Sequence, residues 1–268
     1  MMARRDDPMR NCFNEWATQQ EEDMHELRLA TTRNNRDDAE LRALVAKSIR
    51  RYEDYTEKRR SIAMEGAMTL FCPSWCSTFE SSFLWLGGCR PSMAIRLVYS
   101  VTGAELHAHV NHLFSGGPPP RIGMAALSSS QLASVNELHG KTIRDEDELS
   151  TKMASLQEDV VDKPLFQLVR EMGEGSSVTA AGGVANGGGA RVADGNGEVE
   201  AVMQKYVESL AEILEEADRM RVETLGELVT EILTPAQAAE LLLAAKQLHL
   251  TIQQWGGRRD IQLGLNRQ

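Results

Sequence analysis

The sequence has few aromatic residues and few cysteines. Aromatic side chains make up 5% of its 268 residues, and its four cysteines, at positions 12, 72, 76 and 89, lack the regular spacing of a small disulfide-linked domain. A core with so few aromatic residues must be built mainly from Leu, Ala, Val, Ile and Met. Because alanine and unbranched side chains lose little conformational freedom in a helix, this composition favours helices over sheets.

The sequence also lacks long apolar runs. No window approaches the roughly 18 consecutive apolar residues that a membrane-spanning helix needs. The start, Met-Met-Ala-Arg-Arg-Asp-Asp, is followed by polar residues rather than an apolar stretch, so we expect no signal peptide. We therefore expect the chain in the nucleus or the cytoplasm, where disulfides are rare.

Positive charge is scarce as well, since the formal net charge is −10. Binding to nucleic acid depends on neutralising phosphates with Lys and Arg. The densest basic stretches, residues 50–60 and Arg258-Arg259, are short and stand among carboxylates. Solvated helix faces account for them better than a nucleic-acid surface does. We expect no direct binding to DNA.

No motif of catalysis is present. The sequence has no nucleophile motif, no phosphate-binding loop and no HExxH pattern, and the glycines of residues 182–189 do not follow a predicted strand. His107, His109 and His112 are the most metal-like cluster, but on a helix His107 lies away from the face that the other two share. The sequence predicts a protein that is not an enzyme and that has no metal site.

What the sequence does contain is helical periodicity. The start signals are Asp37 as an N-cap, Ser128 with Gln131, and Thr234-Pro235 with Gln237. Glycines at 87–88, 103 and 256–257 are interpreted as helix ends. The predicted helices cover residues 8–33, 37–55 and beyond, 79–86, 91–103, a short histidine-bearing segment before the loop at 115–121, and residues 128–164, 202–232 and 235–255.

These elements predict an all-α protein with a single helical domain of long antiparallel helices over residues 8–260. Residues 173–198 are rich in Gly, Ala and Ser and hold hardly any large apolar side chain. They are predicted to form a flexible linker before the last two helices. Residues 1–7 and 261–268 are predicted to be tails.

Four blocks of sequence resemble a known family. The block Phe83–Ser92, with its Trp-Leu-Gly-Gly-Cys-Arg-Pro-Ser run, is similar to a signature of the domain shared by delay-of-germination seed-dormancy proteins and TGA-type bZIP transcription factors. Further blocks are residues 155–159, residues 217–225, and Leu248-His249-Leu250 with Trp255-Gly256. The blocks occur in family order over roughly residues 10–260. The chain therefore resembles the dormancy branch, and we expect it to lack the basic zipper of the TGA factors.

The resemblance implies a function for the first helix. Dormancy-type proteins contact type-2C protein phosphatases of the abscisic acid pathway through an N-terminal segment, and Phe13, Glu15 and Trp16 match that pattern here. An amphipathic helix with aromatic anchors is a common way into a hydrophobic groove. The alternative is that Phe13 and Trp16 pack on the protein's own core.

The resemblance also implies haem binding by two histidines spaced i, i+4 on the last helix. His249 occupies the first position, but Gln253, a poor iron ligand, occupies the second, which weakens this expectation. The leading hypothesis is a non-enzymatic plant regulator of seed dormancy and abscisic acid signalling. The alternatives are a transcriptional regulator or co-regulator that binds transcription factors or itself, and a sensor of haem or lipid.

Overall fold

The chain folds into long α-helices, as the composition and periodicity predict. The computed structural model describes residues 8–33, 37–115, 126–162, 166 and 192–265. Within them, the helices are α1 (Pro8–Thr32), α2 (Asp38–Phe71), α3 (Thr78–Ser81), α4 (Ser92–Ser115), α5 (Ser129–Val160), α6 (Val192–Glu227) with a π-helical turn (Leu228–Ile232), and α7 (Pro235–Gln262). The only β contact in this part of the chain is an isolated bridge between Trp85 and Gly88.

The predicted helix starts are confirmed. The Asp37 carboxylate accepts a hydrogen bond from the Ala39 amide at 2.9 Å, which satisfies one of the free amides of the first turn of α2. Ser128 and Thr234 each form a reciprocal capping box with the glutamine three residues later, Gln131 and Gln237. Local side-chain chemistry therefore sets where α2, α5 and α7 begin.

Two glycine positions that were predicted to end helices do not end them. α4 continues through Gly103, and α7 continues through Gly256 and Gly257 to Gln262. A glycine costs only about 1 kcal/mol inside a helix, so neighbouring residues can carry the helix through it. At Gly256 the missing side chain has another use, because a Cβ there would collide with Ser77 and Phe79.

The predicted helix over residues 79–86 is wrong in its extent, because α3 ends at Ser81. Trp85 to Gly88 form a tight turn in which Leu86 has φ +45° and Gly87 has φ +72°. Hydrogen bonds from a residue distant in sequence fix this turn. Arg221 donates from Nη2 to the carbonyl oxygens of Trp85 and Leu86, at 2.6 and 2.9 Å, which draws this backbone out of the helix.

The predicted linker, residues 173–198, falls largely outside the described residues. Its last part differs from the prediction, since α6 already begins at Val192. A helix that packs well can extend into residues of poor intrinsic propensity, because nucleation is the costly step and propagation is not.

Ion pairs define the packing of α1 on α2. Glu15 pairs with Lys58, Glu22 with Arg51, Glu26 with Lys47, and Arg33 with Glu40. The partner number falls as the α1 number rises, so the two helices are antiparallel. The same relation holds for α5 and α6, where Lys152 pairs with Glu216 and Gln131 donates to the Ile232 carbonyl. Antiparallel neighbours are therefore present as predicted.

The main hydrophobic core joins α1, α2, α4, α5, the π-helical turn and α7. Its members are aliphatic, as the low aromatic content requires, and include the fully buried Leu27, Leu41, Ile95, Leu228 and Leu241. A second cluster, with Ala63, Leu70, Leu210 and Leu214 among its members, fills the space between α2 and α6. In the described part of the chain, every helix is too short or too polar to cross a membrane.

Buried charges connect the helices through this core. The Asp23 carboxylate is 2% exposed and accepts hydrogen bonds from Ser48 (3.0 Å) and Arg51 (2.8 Å) of α2 and from Lys246 (3.3 Å) of α7. Hydrogen bonds from several donors offset much of the cost of burying a carboxylate. Asp23 therefore holds three helices in register.

A second buried carboxylate, Asp218, lies beneath the Trp85–Gly88 turn. Its Oδ1 is 2.6 Å from Arg221 Nη1, and its Oδ2 is 2.9 Å from Arg59 Nε. Arg221 and Arg59 in turn donate to the turn, where Arg59 Nη2 is 2.9 Å from the Gly87 carbonyl. A Cβ at Gly88 would lie 2.9 Å from the Arg221 guanidinium. The glycine pair of the signature block therefore lets two arginines reach the backbone.

Candidate functional site

Phe13 and Trp16 of α1 belong to an aromatic cluster that spans three helices and a turn. The Trp16 ring stacks on Tyr55 of α2, with centroids 4.8 Å apart, and meets the edge of His249 of α7 at 5.3 Å. The Phe13 ring is 5.8 Å from Trp16 and 5.9 Å from Trp75, which precedes α3. Both side chains are half-buried. The alternative considered from the sequence, in which Phe13 and Trp16 pack on the protein's own core, therefore accounts for part of their contacts.

Glu15 has a different environment, because it is exposed at the α1–α2 seam. Its carboxylate accepts a hydrogen bond from Lys58 Nζ at 2.9 Å, and that hydrogen bond raises the pKa of the Lys58 ammonium. Both side chains are about half exposed, at 56% and 49%. Ion pairs as exposed as this one add little stability, so Glu15 can change partners at low cost.

A groove opens along this seam with a volume of about 280 Å³. Trp16 and the mostly buried Tyr55 form its aromatic walls. The remaining lining residues are polar or small: Cys12, Glu15, Gln19, Asp54, Glu57 and Lys58. Three carboxylates and one ammonium make the lining acidic. Burial raises the pKa of the Cys12 thiol, which keeps that thiol protonated and unreactive.

The groove, which we call the α1–α2 groove, brings together two of the three predicted partner-binding residues. Glu15 and Trp16 line it, whereas Phe13 lies beside Trp75. Sequence reasoning missed Tyr55, Asp54 and Glu57 as neighbours of this site. Only the register between α1 and α2 reveals that Tyr55 faces Trp16.

His249 belongs to the same cluster and is half-buried. Desolvation by burial lowers the pKa of its imidazole, against a smaller raising effect from Glu80. Its Nε2, like Nε1 of Trp16, is buried without a hydrogen-bond partner among the described residues. A free imidazole nitrogen is what an iron ligand requires.

The surroundings of His249 nevertheless do not fit a haem. The Trp16 ring packs against the imidazole edge, and the lining of the α1–α2 groove does not include His249. One turn further along α7, Gln253 offers an amide in place of a second imidazole. His249 would have to leave its packed position before a porphyrin could approach.

The residues that the structure describes contain no group of three or more His, Cys, Asp or Glu side chains able to hold a metal ion. The side chains of His107, His109 and His112 lie outside the described ones, so the sequence interpretation of that cluster stays a prediction.

Comparison with known proteins gives a consistent result. Residues 23–100 match the family model DOG1, described as seed dormancy control. The chain is 35% identical to Protein DOG1-like 3 of Arabidopsis thaliana over 94% of its own length and 85% of that protein. It is 27% identical to Protein RESPONSE TO ABA AND SALT 1 of the same plant, over 74% of this chain and 71% of that protein.

Similarity also extends to transcription factors. The chain is 26% identical to Transcription factor TGA2 of Arabidopsis thaliana, over 85% of this chain but 57% of that protein. The shared segment is therefore one part of the longer factor. This matches the sequence resemblance, in which the same helical domain occurs in both groups.

Proposed function

The chain belongs to the DOG1 family of seed dormancy control, and on that premise we propose that it is a non-enzymatic regulator that binds type-2C protein phosphatases of abscisic acid signalling. The observation that supports this most directly is the α1–α2 groove, which Glu15 and Trp16 both line. The similarity to a protein named for its response to abscisic acid and salt agrees with that pathway.

The groove suits a protein partner. Its aromatic walls, Trp16 and Tyr55, offer flat apolar surface, and its carboxylates give it negative potential. Interfaces commonly combine an aromatic anchor with charged groups that fix orientation and speed association. We expect a basic side chain of the phosphatase to enter between Glu15 and Asp54, with its stem against Trp16.

The packing of α1 determines which variants test the proposal. Removing Phe13 and Trp16 would disturb the aromatic cluster as well as the groove, so a loss of binding would have two explanations. Charge reversal at exposed positions avoids this. Glu15→Lys and Asp54→Lys change the groove without removing a ring contact.

The experiment is pull-down and calorimetric titration of a panel of plant type-2C phosphatases with the full chain. We expect the Glu15→Lys, Asp54→Lys double variant to bind at least tenfold more weakly, with unchanged helical circular dichroism. The matched control is Glu137→Lys with Glu148→Lys on α5, which are exposed on another helix. Equal binding by both double variants, or no binding by the unmodified chain, would reject phosphatase recognition through this groove.

A second candidate function is transcriptional co-regulation, which the similarity to TGA2 supports. In this hypothesis the chain acts by binding a DNA-bound factor. Gel-shift assays with a TGA site should show a supershifted complex only when a TGA factor is present. A shift produced by this chain alone would instead favour direct DNA binding.

A further inference from the structure

A second surface, which differs in charge from the α1–α2 groove, exposes aromatic rings and positive charge. The Phe79 ring lies 4.4 Å from Trp255 and 5.0 Å from Phe83, in edge-to-face contacts. Trp255 is 51% exposed and Phe83 39%. Arg258 and Arg259 follow Trp255 at helical spacings of three and four. We call these five residues the α3–α7 patch.

The rings of the patch are contiguous, which separates them from single exposed apolar side chains. Single exposed apolar side chains are common on soluble proteins, but contiguous apolar patches mark interaction sites. Here the Phe79 ring contacts both the Phe83 and the Trp255 ring in a protein with only 5% aromatic residues. Leu248, 43% exposed and two turns before Trp255 on α7, extends the apolar surface along the same helix face.

The patch is also held rigidly. Ser77 and Glu80 cap α3 reciprocally, and Asp260 accepts hydrogen bonds from the Thr78 amide, at 3.0 Å, and from the Thr78 hydroxyl. Gly256 lets the start of α3 lie directly on α7, since a Cβ there would meet Ser77 and Phe79. The rings are therefore fixed before any partner arrives, which lowers the entropy lost on binding.

The charges of the patch indicate the sign of the partner's charge. Neither guanidinium, of Arg258 or of Arg259, has an ion pair in the described part of the chain, and both side chains are exposed. Two exposed arginines about one helical turn after a tryptophan give the patch local positive charge in a chain with net charge −10, and the neighbouring carboxylate of Asp260 is hydrogen-bonded to Thr78. Trp and Arg are also the side chains that most often dominate binding energy at interfaces.

From these observations we propose that the α3–α7 patch binds a short acidic segment of another protein, whose large apolar side chains cover Phe79, Phe83 and Trp255 while its carboxylates pair with Arg258 and Arg259. A short peptide meets mainly the local charge of the patch, whereas an anionic membrane would also face the rest of a chain whose net charge is −10, which disfavours a membrane as the occupant. The acidic α1–α2 groove calls for a partner of the opposite charge. The two surfaces therefore favour partners of opposite charge.

The test uses a display library of random 16-residue peptides selected on the immobilised full chain. The main variant is Arg258→Glu with Arg259→Glu, which removes no ring contact. Its matched control is Arg42→Glu with Arg50→Glu, two exposed arginines of α2 that likewise have no ion pair among the described residues. A third variant, Trp255→Gln, removes the most exposed ring, and thermal melts check that each variant folds.

We expect enriched peptides to combine Asp and Glu with at least two large apolar side chains. Synthesised singly, they should bind the Arg258/Arg259 variant at least tenfold more weakly and the Arg42/Arg50 variant within twofold of the unmodified chain. Enrichment of basic peptides, or equal loss in both arginine variants, would overturn the proposal.

The same protein variants also test two other possible occupants of the α3–α7 patch. If sedimentation shows self-association that Trp255→Gln abolishes, the patch is an interface between copies of this chain and the proposal is wrong. If phosphatidylserine vesicles bind the unmodified chain but not the Arg258/Arg259 variant, the patch is a lipid-binding surface, and the proposal is again wrong.

Discussion

The Trp16 ring of α1 stacks on the Tyr55 ring of α2, with centroids 4.8 Å apart and planes inclined by 20°. Trp16 is thus a wall of the groove and also part of the contact that holds α1 against the rest of the domain. A partner that uses this ring must approach the part of it that Tyr55, His249 and Phe13 leave exposed.

This contact predicts a stability cost at Trp16. We expect Trp16→Ala to lower the free energy of unfolding by about 2–4 kcal/mol, somewhat less than full burial would give, since the side chain is half-buried. Urea denaturation followed by circular dichroism measures it. Glu15→Gln is the control and should change stability by less than about 1 kcal/mol. A neutral Trp16→Ala would mean that α1 is not fixed by this stack.

The Asp218 network predicts a larger effect. Asp218→Asn leaves Arg59 and Arg221, whose side chains are 8% and 3% exposed, without their carboxylate. We expect a loss of about 3–5 kcal/mol, because an uncompensated buried charge is costly. Glu216→Gln, two residues away, removes only the half-exposed pair with Lys152 and should cost less than about 1 kcal/mol. Similar losses in both variants would contradict a special role for Asp218.

Neighbouring glycines of α7 should respond in opposite ways to the same substitution. A Cβ at Gly256 collides with Ser77 and Phe79, whereas at Gly257 it meets nothing within 4 Å. We expect Gly256→Ala to destabilise the protein by about 1–3 kcal/mol through displacement of α3. Gly257→Ala should stabilise it by about 0.5–1 kcal/mol through helix propensity. Thermal melts measure both changes, and equal shifts in the melting temperature would show that α3 does not pack directly on Gly256.

His249 should make stability depend on pH. Burial lowers its folded-state pKa below the ordinary 6.5, with Glu80 and Lys246 as the nearby charges. The unfolded chain therefore binds a proton that the folded chain resists. Stability should fall as pH drops below about 6.5, where His249 of the unfolded chain takes up that proton.

The check is chemical denaturation of the unmodified chain and of His249→Gln between neutral and mildly acidic pH. The variant should show a flatter stability profile over this range. His25→Gln, at an exposed position of α1, should leave the profile unchanged. If His249→Gln has the same slope as the unmodified chain, the acid sensitivity originates elsewhere.

Much of the fold follows from local sequence signals, and the parts that do not are tertiary. The starts of α2, α5 and α7 were predictable because Asp37, Ser128 and Thr234 cap helices through residues two or three positions away. The continuation of α7 through Gly256 was not, because the need for a glycine there comes from Ser77, far away in sequence. The Trp85–Gly88 turn depends in the same way on Arg221.

The candidate site likewise has a part that the sequence predicts and a part that only tertiary contacts reveal. Resemblance to a known family nominated Phe13, Glu15 and Trp16, and the structure places Glu15 and Trp16 in one groove. Tyr55, Asp54 and Glu57 entered the site only through the antiparallel register of α1 and α2. The aromatic α3–α7 patch was hidden because Phe79 and Trp255 lie in separate parts of the sequence.

The hydrogen bonds between Thr78 and Asp260 span 182 positions of the chain. Closing a loop this long costs more entropy than forming a local contact, so we expect this contact to form late in folding. Its position near the end of α7 also means that a shortened C-terminus loses the anchor of α3, although α3 lies in the first third of the sequence. A truncation after Trp255, or a fusion that replaces the residues after it, would therefore loosen the positions of Phe79 and Phe83.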